Sequence, residues 1–205
     1  MYSELSIDKL ITSSDYEWRE LMGILDRFRK KQTVPQEEKS DEKLLLDIAA
    51  SISYDDSKVI AEMEECILDT GKYFKKHCEH YEARGVKNSD NIDNIRWLTL
   101  VDVLVHHGYV CELNWKCGKE GFVYFIKKTL LVQTEKLPVT QEWLNDEGDI
   151  TEWCHILDNK WQAQGMCVAA IEIEGGSYII FPYQTVALSF LQDAAGRIGR
   201  RIYKC

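Results

Sequence analysis

Residues 92–107 place the strongest limit on how this chain can fold. Apolar side chains such as Trp97, Leu100 and Leu104 fall on nearly every side of a helix drawn through the segment. A helix of that kind is stable only when other elements cover it, so we predict a buried, central helix. Gly108 is expected to end it, because glycine readily adopts the left-handed backbone that follows many helix C-termini.

A hairpin is the clearest strand signal in the sequence. Residues 166–173 form an apolar run, and the Gly-Gly pair at 175–176 separates them from a second run at 177–181, which predicts a two-residue turn. Pro182 is expected to end the second strand, since proline has no backbone N–H to donate to a ladder. Alternating apolar and polar residues predict a further strand at 109–115.

Helical periodicity accounts for most of the remaining chain. Apolar spacing predicts helices at residues 14–28, 44–52, 59–67, 72–83, 119–132, 150–164 and 183–198, with one helical turn at 140–145. Residues 119–132 also hold enough β-branched and aromatic side chains for a strand, and there we favour the helix. In the last helix, Phe190 is expected to face inward with Leu191 and Ala194.

The predicted fold class is α+β, a mostly helical chain with a small antiparallel sheet of about three strands covered by helices. Residues 1–90 form an N-terminal helical layer, and residues 91–205 form an α+β core. The polar stretch at 86–90 is the best candidate boundary. Because the apolar helix faces before it need a cover, we expect the two parts to fold as one cooperative unit.

Charge and composition argue against several kinds of partner. The formal net charge is −9 and the isoelectric point is about 5.1, which disfavours a nucleic acid. No apolar run approaches the roughly 18 residues that a membrane span needs. The first residues do not predict a secretory leader, so the seven irregularly spaced cysteines are expected to be reduced in a cytoplasm. The basic residues within 197–204 are expected to be an ordinary surface cluster.

The motifs of common catalytic and cofactor sites are missing from the sequence. It contains no phosphate-binding glycine loop, nucleophile elbow or zinc-protease helix, so we expect no cofactor and assign no catalytic residue. His77 and His80 share one helix face, but two ligands do not make a metal site, and whether they bind an ion stays open. Cys117, between Lys116 and Lys119, is the best candidate for a reactive thiol with a lowered pKa.

A binding site is predicted where the buried helix meets the next strand. Titratable and aromatic side chains cluster there, namely His107, Glu112, Trp115 and Lys116. The competing interpretation for His107 is that an imidazole in a last helical turn interacts favourably with the negative end of the helix. For Trp115, it is packing against the edge of the sheet.

Residues 108–116 (Gly-Tyr-Val-Cys-Glu-Leu-Asn-Trp-Lys) and the hairpin at 174–182 resemble a family of uncharacterised bacterial proteins known only as a domain of unknown function. The resemblance covers roughly residues 92–200, with the first ninety residues outside it. Asn114 stands where the family often has Asp, which weakens any role for a carboxylate at that position. The resemblance implies a bacterial cytosolic protein and implies no activity.

Two functions from different classes fit these observations. The first is a non-enzymatic protein-interaction domain of the immunity or adaptor type, because a strong negative charge steers association with a basic protein. The second is a small-molecule-binding protein or enzyme with a site near Glu112, Trp115 and Lys116. The sequence does not predict an oligomeric state.

Overall fold

The structure is a computed structural model that describes residues 39–87 and 92–205. The helix predicted at 14–28 lies outside the described residues, as does most of the candidate boundary. The helices are α1 Asp41–Ser53, α2 Ser57–Leu68, α3 Thr70–Lys76, α4 Cys78–Ala83, α5 Ile92–His106, α6 Lys119–Ile126, α7 Leu130–Thr134, α8 Ile150–Trp161 and α9 Leu188–Arg197. Short 3-10 helices lie at Gln141–Trp143, Gln162–Gln164 and Thr185–Ala187.

Four antiparallel strands form the sheet, so the predicted α+β class is confirmed with one more strand than expected. They are β1 Cys111–Asn114, β2 Met166–Ile171, β3 Ser177–Gln184 and β4 Ile202–Lys204, in the order β1-β3-β2-β4. Residues Ser40–Cys205 form one compact unit that contains α1 to α4 as well as the sheet. Among the described residues, no helix has the length and apolar character that crossing a bilayer requires.

Helices cover both faces of this sheet. Successive strand residues point to opposite faces, and Ala169 and Phe181 join one core with α1, α2, α5 and α9. Val168 and Ile180 join a second core with α6 and α8 on the other face. All six residues of β2 are therefore buried, which explains why its sequence is apolar without alternation.

The buried helix predicted from residues 92–107 is confirmed as α5. Leu100 and Leu104 are fully buried, and the Trp97 indole N–H donates to the Glu172 carbonyl at 2.9 Å. Gly108 has a φ of 77°, the left-handed conformation expected after the helix.

The segment at 72–83 is two helices rather than the single helix predicted. The chain leaves the helical conformation at His77, where φ is −117° and ψ is 22°. In an unbroken helix, residues 74 and 81 would lie about 10 Å apart along the axis. The break instead stacks the Phe74 and Tyr81 rings at 5.0 Å, in a small core that includes Cys66 and Ile95.

Residues 119–132 are helical as predicted, but a break separates α6 from α7. The Thr129 hydroxyl donates to the Ile126 carbonyl at 2.8 Å and so closes the end of α6. The Leu130 N–H then donates to the Gly108 carbonyl at 2.9 Å, which ties the start of α7 to the turn after α5.

The hairpin is present, but its predicted two-residue turn is wrong. Strand β2 ends at Ile171 and β3 begins at Ser177, so the connection runs over residues 172–176, and only Gly175 of the glycine pair has a positive φ. Pro182 lies inside β3, opposite Val168, rather than ending the strand. The Val168 backbone is bonded on the side away from β3, to Asp158 and Cys205, so this pair needs no N–H from Pro182.

The helix predicted at 183–198 begins later than expected, at Leu188, because β3 continues to Gln184. Phe190 was predicted to face inward, but 43% of it is exposed. Strand β4, which was not predicted from the sequence, pairs with β2 through Ile202, Tyr203 and Lys204. Three residues are too few to show a strand periodicity.

Asp158 joins α8 to the two strands β2 and β4. One of its carboxylate oxygens accepts from the Val168 N–H at 2.6 Å, and the other lies 2.9 Å from the Lys204 ammonium. We expect Asp158→Ala to lower the free energy of unfolding by about 2–4 kcal/mol, because it leaves a buried N–H without an acceptor. Urea unfolding at pH 7 measures this.

The exposed Asp193 on α9 supplies the matched control. Asp193→Ala is expected to change the free energy of unfolding by less than about 0.5 kcal/mol. Equal effects of the two substitutions would contradict the structural role given to Asp158.

Candidate functional site

A polar groove between α2, α4 and α5 gathers four of the five histidines of the chain. Its cavity of about 310 Å³ is lined by side chains that include Glu62, His77, His80, Asp102 and His106, and we call it the histidine groove. The fourth histidine, His107, contacts Glu62 through its Nε2 atom at 3.2 Å. Two histidine pairs that are far apart in the sequence therefore meet at one surface.

Local helix geometry positions these side chains. Asp102 and His106 lie four residues apart on α5 and so share one face. The break after α3 lets the His77 ring stack on Tyr73 with 4.4 Å between ring centroids. One turn later, His80 Nε2 lies 2.9 Å from an Asp102 carboxylate oxygen.

Arg84, immediately after α4, connects the groove to β1. Its guanidinium donates to both oxygens of Glu112, at 3.2 and 2.7 Å, and to Asp102 at 2.5 Å. Burial disfavours the charged guanidinium, but the bonds and negative charges of Glu112 and Asp102 outweigh that effect and raise the pKa of Arg84. Arg84 therefore stays charged and holds α4, α5 and β1 together.

Glu62 makes a second set of polar contacts at the groove. It accepts from the Tyr73 hydroxyl at 3.2 Å and contacts His107 at the same distance. Burial and the adjacent Glu62 charge raise the pKa of Tyr73, so this phenol stays protonated. The groove thus contains two imidazole–carboxylate pairs, an arrangement that can bind a polar ligand or exchange a proton.

The structure places the four predicted site residues in different contacts. His107 bonds Glu62 and Glu112 bonds Arg84, so both belong to the polar network around the groove. Trp115 is 61% exposed, and its backbone N–H donates to the Gly176 carbonyl at the hairpin. The Lys116 ammonium lies 4.8 Å above the Trp115 ring. A single site made of all four residues stays a prediction.

In the described part of the chain, no third side chain is placed to join His77 and His80 as a metal ligand. There, no three His, Cys, Asp or Glu side chains converge closely enough to hold an ion. His80 is paired with Asp102, whereas the Nε2 atom of His77 is buried without a hydrogen-bond partner.

The lowered pKa expected for Cys117 is wrong. Burial raises the pKa of this thiol. The two neighbouring cations are directed elsewhere, because Lys119 pairs with Asp146 and Lys116 lies over Trp115.

Three of the four basic residues within 197–204 make contacts inside the chain, and the first is Arg200, which donates to Asn94 at 3.2 Å. Arg201 pairs with Glu172, and Lys204 pairs with Asp158.

Glu62 and Asp102, which line the groove, and Arg84, which connects it to β1, were not predicted from the sequence. Asp102 carried a usable signal, because a carboxylate in the middle of a helix that is apolar on nearly every side requires a partner. Nothing in the sequence identified Arg84 as that partner, since the contact depends on how α4 returns past α5.

The Arg84 network yields a stability prediction. Arg84→Met leaves Asp102 and Glu112 partly buried with no cation between them, so we expect the free energy of unfolding to fall by about 3 kcal/mol. Urea unfolding at pH 7 measures the loss.

Arg201→Met is the matched control, because Arg201 and its partner Glu172 are both largely exposed. Its expected effect is below about 1 kcal/mol. A similar small effect for Arg84→Met would contradict the account of the network.

Comparisons with known proteins add a family. The model of a Domain of unknown function (DUF6630) matches residues 44–205. The resemblance to a family of unknown function is confirmed. The match extends further than the expected 92–200 and includes most of α1 and all of α2 to α4, so only residues 1–43 lie outside it. Neither curated proteins nor solved structures gave a match. Since the match covers most of the chain, the protein belongs to the DUF6630 family.

Proposed function

We propose that this chain is a bacterial cytosolic domain that binds a basic protein and does not catalyse a reaction. The observation that carries the proposal is an exposed acidic patch around the start of α8. It consists of Glu142, Asp146, Glu147, Asp149 and Glu152. Lys119 forms an ion pair with one of these carboxylates, Asp146.

Exposed aromatic side chains on α6 support a protein partner over a small ion. Tyr124 and Phe125 on α6 are 54% and 41% exposed. This helix packs against the 3-10 helix Gln141–Trp143, which carries the first acid of the patch. Protein interfaces commonly combine aromatic anchors with a charged rim, and the surface of this helical layer offers both.

The negative net charge favours association with a positively charged protein. The net charge of −9 attracts a basic protein over a distance of about 10 Å at ordinary salt and accelerates encounter. The seven cysteines are all free, which is consistent with a reducing compartment. The bacterial source rests on the resemblance described above.

A charge-neutralising variant tests the patch. The triple variant Glu142→Gln, Asp146→Asn, Glu147→Gln spares the helix cap at Asp149. We expect affinity capture from the host at moderate salt to recover one stoichiometric protein with the wild-type chain and to lose it with this variant, because the attraction is removed. Quantitative mass spectrometry measures the recovery.

The matched control changes the same charge elsewhere, with Glu64→Gln, Glu82→Gln and Glu174→Gln at exposed positions. It is expected to retain the partner. Recovery of no stoichiometric protein under several growth conditions counts against the proposal, as does equal recovery with both triple variants.

A ligand site in the histidine groove is the second candidate function. The specific observation is the pair of imidazole–carboxylate contacts, His80 with Asp102 and His107 with Glu62. Here the small-molecule alternative is centred on the groove, and Glu112 takes part through Arg84.

Zinc tests whether the groove imidazoles can be drawn together by a ligand, since no three described side chains converge on an ion position beforehand. If the groove binds it, Zn²⁺ raises the melting temperature of the wild-type chain, because a ligand that binds only the folded state stabilises it. The double variant His80→Ala, His106→Ala loses the shift, whereas His155→Ala, an exposed histidine on α8, keeps it. The same shift in all three proteins, or none in the wild type, argues against this candidate.

A further inference from the structure

A second cavity lies at the end of the sheet where β2 begins and β3 ends. It has a volume of about 330 Å³, and its walls come from both helical layers. Its lining includes Tyr54, after α1, and Glu135, after α7. Gln164, two residues before β2, and Gln184, the last residue of β3, also line it. We call this cavity the sheet-end cleft.

Backbone strain is concentrated at the rim of this cleft. Among the described residues, the non-glycine residues with positive φ are Tyr54 at 53°, Asp55 at 60° and Lys136 at 52°. Tyr54 lines the cleft, Asp55 follows it, and Lys136 lies between two lining residues. Left-handed backbone costs a side chain about 1 kcal/mol or more, and such strain is found where a site holds it in place.

Tyr54 is an unusual choice for its position. It is the left-handed C-cap of α1, a place where helices usually carry glycine or asparagine. Helix capping therefore does not account for the tyrosine side chain. Its ring is about half exposed and forms a wall of the cleft, so the residue contributes to the cavity.

The polar groups of the cleft are available to a ligand. Within the described part of the chain, no hydrogen bond or ion pair engages the side chains of Glu135, Gln164 or Gln184. Burial, with smaller contributions from Tyr183 and Glu135, raises the pKa of Tyr54 to about 12, so its hydroxyl stays a neutral donor. Leu137 and Met166 add apolar surface.

We infer that the sheet-end cleft binds a small organic amine. Glu135 offers a carboxylate to an ammonium group, and the Tyr54 ring offers an aromatic face to the same cation. The two glutamine amides and the Tyr54 hydroxyl orient the remaining polar groups, while Leu137 and Met166 contact the carbon skeleton. A cavity of this volume is at the small end of the range for ligand sites, which suits a compound of few heavy atoms.

Benzylamine and benzyl alcohol form a matched pair of probes, because they share a ring and differ in charge. We expect benzylamine to bind the full chain with a dissociation constant on the order of 1 mM, measured by titration of protein amide NMR shifts. The amide signals of residues around the cleft are expected to change in chemical shift. Benzyl alcohol is expected to bind at least about tenfold more weakly, because it lacks the ammonium group.

Two substitutions locate the binding. Glu135→Gln is expected to weaken benzylamine binding at least about tenfold, whereas Glu174→Gln, an exposed control, leaves it unchanged. Tyr54→Asn is expected to abolish binding while the urea midpoint stays within experimental error of the wild type or rises, since asparagine tolerates the left-handed backbone.

Three results would overturn the inference. One is the absence of saturable shifts around the cleft up to about 20 mM benzylamine, far above the expected constant. Another is equal binding of benzyl alcohol. The third is unchanged benzylamine affinity in Glu135→Gln.

Discussion

Burial of β2 on both faces is the constraint on which the rest of the structure depends. An antiparallel sheet commonly leaves one face in water, but here every residue of β2 is buried. Each helical layer covers one face, so neither layer can leave without exposing the apolar surface of the same strand. Full burial of a Val, Ile or Met side chain stabilises a fold by roughly 1.5–3 kcal/mol, so Met166, Val168 and Ile171 of β2 contribute substantially to the stability.

The histidine groove follows from how the first helical layer closes. Stacking of Phe74 on Tyr81 requires the chain to bend at His77. The bend turns α4 back along α5, so that His80 meets Asp102 and the following Arg84 reaches Glu112 on β1. A packing requirement of the small aromatic core therefore brings charged groups together from three separate parts of the chain.

Much of the fold could be predicted from local pattern. The buried helix α5, its glycine stop and the presence of the hairpin each leave a periodic signal within a few residues, and each is found. Other features depend on contacts between residues far apart in the sequence. The three-residue strand β4 is defined only by its pairing with β2, and Pro182 is tolerated in β3 only because Val168 bonds in the other direction.

The candidate sites, too, were predictable only in part from the sequence. The histidine pairs and Glu112 stood out as residue types, but their partners Glu62, Asp102 and Arg84 depend on tertiary contacts. The sheet-end cleft carried no sequence signal, because a tyrosine in a left-handed helix cap is recognisable only from its backbone angles.

Amide hydrogen exchange tests most directly whether β2 binds the two helical layers into one cooperative unit. The account predicts that the slowest amides of β2, β3, α5 and α8 exchange together, at the rate of global unfolding. Exchange of α8 at a much faster rate than α5, with β2 following α5 alone, would show that the layers open separately and would contradict it.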